Sequence, residues 1–542
     1  MQTPGKSSSG WQNTVRVRQI LFNPHEWARF AEARNVRAGG ADPPCNPNRV
    51  CHCVKIQPPW VCTPEKSLFR CLSRDQCYSG AVLRRLAPVL LAGTALELIW
   101  IATYALQPLR DNSEAFIGLM LAVFAICICC FLSIPMPDRL TTVLVLGFGL
   151  AFRLTLLPAH PDQSEDIYRY LWDARVAAHG IDPYAYPPSA PELAPLSQTA
   201  IYPPLNSKPH RTAYPPLSQA LFRASYTLFG ERVAPLKAIF SMLEFLSVII
   251  AWRLLVVFGR SPEPLYLMAW NPFFIFEFSH SGHSDSAMMF LTLLSVYLLC
   301  RGRRSAAMVS YAGAVLSKLH PAFCFPLFLR RAGLKAAAIA AAAGLLLVSL
   351  FFTPASLISY IKSLQAYVRL FEFNASFHYL VAFLGRAMFQ QNWNQLAGPF
   401  LAVAFLALTV VIWWKFPMRD ERDLLHAVFW IGTADLCLAT TVHPWYLSWA
   451  AVALFLFPYA FMTYWTGAVF LSYFAYAYRP VYEPAWVLLV EYLPMYGLMF
   501  WEIFRGGPLL DGRLSRNRQS EEGPPGTNAS RGKNYADSPA GL

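Results

Sequence analysis

The chain has 542 residues, 55% of them hydrophobic and 14% charged, with a formal net charge of +13. These proportions exclude an ordinary soluble protein of this size. The basic residues are scattered over short loops and the two ends instead of lining one face, so the charge does not indicate a nucleic-acid partner. What remains is an all-α polytopic membrane protein, with about 12–14 transmembrane helices expected from runs such as "APVLLAGTALELIWIATYAL" and "WVLLVEYLPMYGLMFW".

Residues 1–80 contain no signal-peptide apolar region and are read as an N-terminal extension, disordered or belonging to a wrongly assigned start. Six of the twelve cysteines fall there, between Cys45 and Cys77, without the paired CxxC of a zinc site. The other six (Cys127, Cys129, Cys130, Cys300, Cys324 and Cys437) lie in or beside apolar runs, where cysteine acts as a small hydrophobe.

Arg84 and Arg85 precede predicted spans near 86–106, 115–133 and 139–157. "RGRR" at 301–304, Arg330 and Arg331, Lys415 with Arg419 and Arg422, and the tail after Arg505 all read as cytoplasmic by the positive-inside rule. Both termini are therefore expected on the cytoplasmic side, and three crossings bring the chain outside just before His160. The long loop 158–233 follows, with an amphipathic helix expected at 217–229. Further spans are predicted at 235–258, 263–280 and 284–300. The stretch 305–330 is broken at "KLHP" by Pro321, and a span at 336–353 leads to a second outer loop at 354–395. About five more spans end near 504, and residues 506–542 form a polar, disordered cytoplasmic tail. No fixed-period repeat, GxGxxG or Walker motif occurs, so nucleotide hydrolysis has no support.

Four polar clusters converge on the predicted outer side: Asp162, Glu165 and Asp166; His280, His283 and Asp285 in "HSGHSD"; Lys318 and His320; and His443 in "TTVHPWY". Each has an ordinary alternative. A carboxylate can end a solvated loop, His283 and Asp285 can cap a helix, Lys318 can snorkel, and His443 can be a packed core histidine. The many tyrosines and tryptophans fit an interfacial belt equally well.

Taken in order, "SEDIYRYLWDARVAAHGIDPYAYPP", "IYPPL", "AYPPLSQALF", "GHSDSAMMFLTLLSVYLL", "LSKLHPAFCFPLF" and "TVHPWYLSW" resemble the bacterial GT-C integral-membrane glycosyltransferases. Nearest in likeness are the polyprenyl-phosphate-mannose-dependent mannosyltransferases. The resemblance covers about 84–504, within a domain placed at 81–505 whose loop 158–233 is the catalytic one. In that family the acidic motif sits in the first large outer loop. Here it follows the third span, which questions the alignment of the early helices more than the chemistry.

The resemblance implies a polyprenyl-phosphate sugar donor, with mannose the expected sugar, a lipid or glycan acceptor, and inverting transfer at the outer face. It implies a general-base carboxylate at Asp166, with Glu165 as runner-up. It assigns the donor phosphate to Lys318 and His443, with Arg169 and His320 behind them, and the acceptor or sugar to His283, Asp285, Trp445 and Tyr168. No cofactor is required, although the adjacent Glu165 and Asp166 leave a divalent cation (Mg or Mn) open. The competing class is a secondary transporter or lipid flippase, for which the broken helix at "KLHP" speaks. A non-catalytic envelope-assembly protein that keeps the fold is a third.

Overall fold

The computed structural model describes residues 68–511 except 137, 392, 479 and 480. Most of the expected N-terminal extension, including Cys45, Cys51, Cys53 and Cys62, and nearly all of the expected tail lie outside the described residues. The chain divides between residues 75 and 76, and the description below concerns the larger unit.

That unit is all-helical, and among the described residues the only extended pairing is a parallel bridge between Phe373 and Thr441. The first three helices, α1 (Leu68–Ala105), α2 (Ser113–Ser133) and α3 (Arg139–Leu156), follow the predicted spans, with Asp138 capping α3 through the Thr141 amide at 2.8 Å. After the loop helices α4 (Asp166–Ala178) and α5 (Pro216–Phe229) comes the long α6 (Val233–Val257). Next stand α7 (Asp285–Cys300), α8 (Arg304–Ser317), α9 (Phe325–Ala332) and α10 (Leu334–Phe351). The chain continues through α11 (Pro354–Leu370), α12 (Ser376–Phe389), α13 (Asn394–Lys415), α14 (Glu421–Leu438), α15 (Ala460–Ala468) and α16 (Ala485–Arg505).

Seven of the described helices are long and apolar enough to cross a membrane, including Leu83–Ala105 of α1 and Leu396–Lys415 of α13. They turn large apolar side chains such as Leu345, Phe400, Trp414 and Phe504 outward, as a lipid solvent demands. The remaining expected crossings are short or interrupted. The predicted span at 263–280 is four short pieces, a 3-10 turn at Glu263–Leu265, Tyr266–Ala269, Pro272–Ile275 and a π turn at Phe276–His280, and Pro272 cannot continue the helical ladder before it. From 264 to 280 every residue is buried, so apolarity there marks protein interior.

The loop 158–233 builds its own small core. Tyr170 stacks on Phe222 at 4.4 Å between ring centroids, and Trp172, Leu171 and Phe240 close around them, joining α4 to α5 and α6. These aromatics are therefore core residues, where the sequence allowed an interfacial belt.

Candidate active site

Asp166 opens α4 and lines a cavity of about 660 Å³. Its Oδ1 accepts a hydrogen bond from Asn206 Nδ2 at 2.9 Å, while burial pushes its carboxyl above the ordinary carboxylate range. Glu165, the residue before it, lines the same cavity and pairs with Arg110 Nη1 at 2.7 Å. Among the described residues no group of three or more His, Cys, Asp or Glu side chains is placed to hold a metal ion.

Lys318 reaches the same cavity because α8 ends at Ser317 and Lys318 itself is extended, with φ −154° and ψ 133°. Pro321 then starts a 3-10 turn, and its carbonyl accepts from Tyr311 at 2.6 Å. Freed from the helix, Lys318 Nζ meets Asp285 Oδ1 at 2.9 Å and lies 4.7 Å from the Tyr446 ring centre. Asp285 is the first residue of α7 and buried, so it works as the counter-charge of Lys318. His320 is paired too, its Nδ1 2.7 Å from Asp435 Oδ2, and both line the cavity.

Packing gives the other expected site residues these surroundings. His443 lines the cavity and stacks on Phe373 and Trp445, and burial pushes its imidazole down to about 3, which leaves the ring neutral near pH 7. Trp445 lines the cavity and stacks with His283 at 3.6 Å and His443 at 4.6 Å between ring centroids. His283 is wholly buried behind that tryptophan, outside the cavity wall. Tyr168 also stands off the wall, its hydroxyl 2.9 Å from His160 Nε2. Arg169 borders the cavity, yet its Nε is held by Asp173 at 2.9 Å and its Nη1 by the His210 carbonyl at 3.0 Å. It braces the loop more than it offers a free cation.

The structure adds residues that sequence reasoning missed. Asn206, His210 and Arg211, near "IYPPL" and "AYPPL", and Tyr214, the tyrosine of "AYPPL", come from the proline-rich part of the loop. Asp435 lies inside α14 with no motif around it. Another part of the wall is apolar, with Leu364 and Ala366 from α11, Gly398, Ala402 and Phe405 from α13, and Leu436 from α14. The cavity therefore joins a charged floor to a greasy wall on a helix long enough to span a membrane.

With seven described helices long and apolar enough to span a bilayer, the fold is that of a multi-pass helical membrane protein. Comparison with known proteins bears out the resemblance: residues 77–332 match the family described as alpha-(1->6)-mannopyranosyltransferase, N-terminal domain. Alpha-(1->6)-mannopyranosyltransferase A of Mycobacterium tuberculosis is 23% identical over 339 residues, a match spanning 57% of this chain and 63% of that relative's length. The family match contains Asp166, Asp285, Lys318 and His320 and stops before Asp435 and His443. No solved structure matches the chain.

Proposed function

We propose that the protein is a membrane glycosyltransferase that moves a sugar, mannose by its relatives, from a polyprenyl-phosphate donor to a lipid or glycan acceptor. The transfer takes place at the outer face of the cytoplasmic membrane, with both termini inside. The observation that carries this reading is Asp166 in the wall of a cavity that also holds Lys318 and a broad apolar surface.

An acceptor hydroxyl is a weak nucleophile, and a carboxylate within hydrogen-bond reach of it acts as general base. The hydroxyl oxygen attacks the anomeric carbon from the face opposite the phosphate as its proton passes to Asp166. The bond from anomeric carbon to phosphate oxygen breaks, and its electron pair leaves with polyprenyl phosphate, so the configuration inverts. Lys318 donates to the phosphate as negative charge gathers there, with neutral His443 as a further hydrogen-bonding group. The apolar side chains of α11, α13 and α14 suit the isoprenoid chain.

The test uses purified protein in nanodiscs, radiolabelled polyprenyl-phosphate mannose and a membrane lipid extract. Wild type should transfer label, and Asp166→Asn should lose about 10²–10⁴-fold in rate. Undiminished transfer by the variant removes Asp166 from the role. No transfer from any polyprenyl-phosphate sugar, with counterflow of a solute in proteoliposomes, replaces the enzyme with a transporter.

A further inference from the structure

His283 is fully buried, and neither ring nitrogen has a hydrogen-bond partner. Leaving both unsatisfied is costly, so a native histidine in that state calls for a reason. Two carboxyl groups flank it: Asp166 Oδ2 is 3.8 Å from Nδ1, and Glu277 Oε2 is 3.5 Å from Nε2. The ring is held flat against Trp445, and its own amide donates to the Glu277 carbonyl at 3.1 Å. Glu277 is also fully buried, no Lys or Arg among the described residues pairs with it, and the Tyr473 hydroxyl lies 2.9 and 3.1 Å from its two oxygens. A carboxyl without a counter-charge in such surroundings keeps its proton.

We propose that Glu277 and His283 form a buried donor array that positions Asp166, with protonated Glu277 donating to His283 Nε2 and His283 Nδ1–H donating to Asp166 Oδ2. The array fixes the imidazole tautomer, as a third group does in other carboxyl–imidazole assemblies. It aims one Asp166 oxygen while Asn206 holds the other. Both gaps exceed hydrogen-bond length by less than about 1 Å, and they close when the acceptor is seated. This inference rests on Asp166 being the base. His283 and Glu277 are positioning residues, since neither lines the cavity.

The charged and imidazole groups that also face the pair are Lys318, Asp285, Glu165, His280 and His443. The nearby phenols of Tyr170, Tyr214 and Tyr476 are raised far above the neutral range by burial. All of these stay constant across the variants below, so a change in titration reports the array.

The experiment compares H283F, which keeps a ring against Trp445 but has no N–H, with H283N, whose amide nitrogen can take the place of Nδ1. It also compares E277L with E277Q, which keeps a donor. Loss of a donor to the Asp166 carboxylate should move the acid limb of kcat/KM for polyprenyl-phosphate mannose upward by about one pH unit. H283F and E277L should show that shift and a kcat loss of about tenfold, with KM changed less than about twofold. H283N and E277Q should each recover most of the loss. An unmoved limb in H283F, or E277Q as impaired as E277L, overturns the array, and the Glu277 pair decides alone if H283F does not fold. A parallel infrared pH titration of the Asp166 carboxyl band, assigned by its absence in D166N, reads the same shift without turnover. A shifted band in a protein that transfers no sugar keeps the array and overturns the enzymatic reading, and an unshifted band in an active one does the reverse.

Discussion

Lys318 and Asp285 form an ion pair at 2.9 Å across the break in "KLHP", with Asp285 buried. Removing the lysine leaves a buried carboxylate unpaired, at a cost of about 3–5 kcal/mol. Lys318→Met should therefore unfold at a lower temperature in detergent and lose transfer. The double variant Lys318→Met with Asp285→Asn should regain most of the stability and none of the transfer, a split that separates structural pairing from phosphate contact.

Asp166 titrates above the ordinary carboxylate range because it is buried, and a base works only when deprotonated. Transfer should fall as pH drops through that raised value, so the acid limb of kcat/KM lies above the ~3.9 of a free aspartate. A profile measured from about pH 4 to about pH 8, flat throughout, would contradict the role.

Ala402 on α13 contributes to the apolar wall. Ala402→Trp should raise KM for a long-chain polyprenyl-phosphate donor by about tenfold, roughly the effect of a few blocked methylenes. A short-chain, water-soluble donor should be nearly unaffected, and equal impairment of both would place the isoprenoid elsewhere.

Gly282 sits at φ +74° between the π turn and α7, and an added Cβ would come within 2.8 Å of Ile167 Cδ1 and Lys237 Cγ. Gly282→Ala should cost about 1–3 kcal/mol and displace His283 beside it. Thermal unfolding together with transfer rate would show both losses, and an unchanged rate would mean the turn does not set the site.

Arg153 and Glu244 pair at 2.5 and 2.8 Å between α3 and α6, both fully buried and remote from the cavity lining. Glu244→Ala should cost about 3–5 kcal/mol through the stranded guanidinium. The rate per folded molecule should stay at the wild-type value, measured on the fraction that survives size exclusion.

Much of this was legible in the chain itself. Runs of apolar residues set the helices of 86–106, 115–133, 139–157, 235–258 and 336–353 close to where they stand, because a ~30 Å hydrocarbon layer admits little else. Pro321 announced the break that releases Lys318, and the order of the polar motifs announced that they converge. The stretch 263–280 misled because an apolar run does not say whether lipid or protein will surround it, and only contacts reveal the latter.

What each polar group touches was decided by tertiary structure. His320 meets Asp435 from 115 residues away, and Trp445 stacks with two histidines, His283 from a distant segment and His443 beside it. Local sequence determines periodicity, charge and breaks, since those act over a turn or a bilayer thickness. Whether a histidine is charged, a tryptophan face is free or an arginine is already held depends on neighbours distant in sequence, and so only the folded chain distinguishes the cavity floor from its buried support.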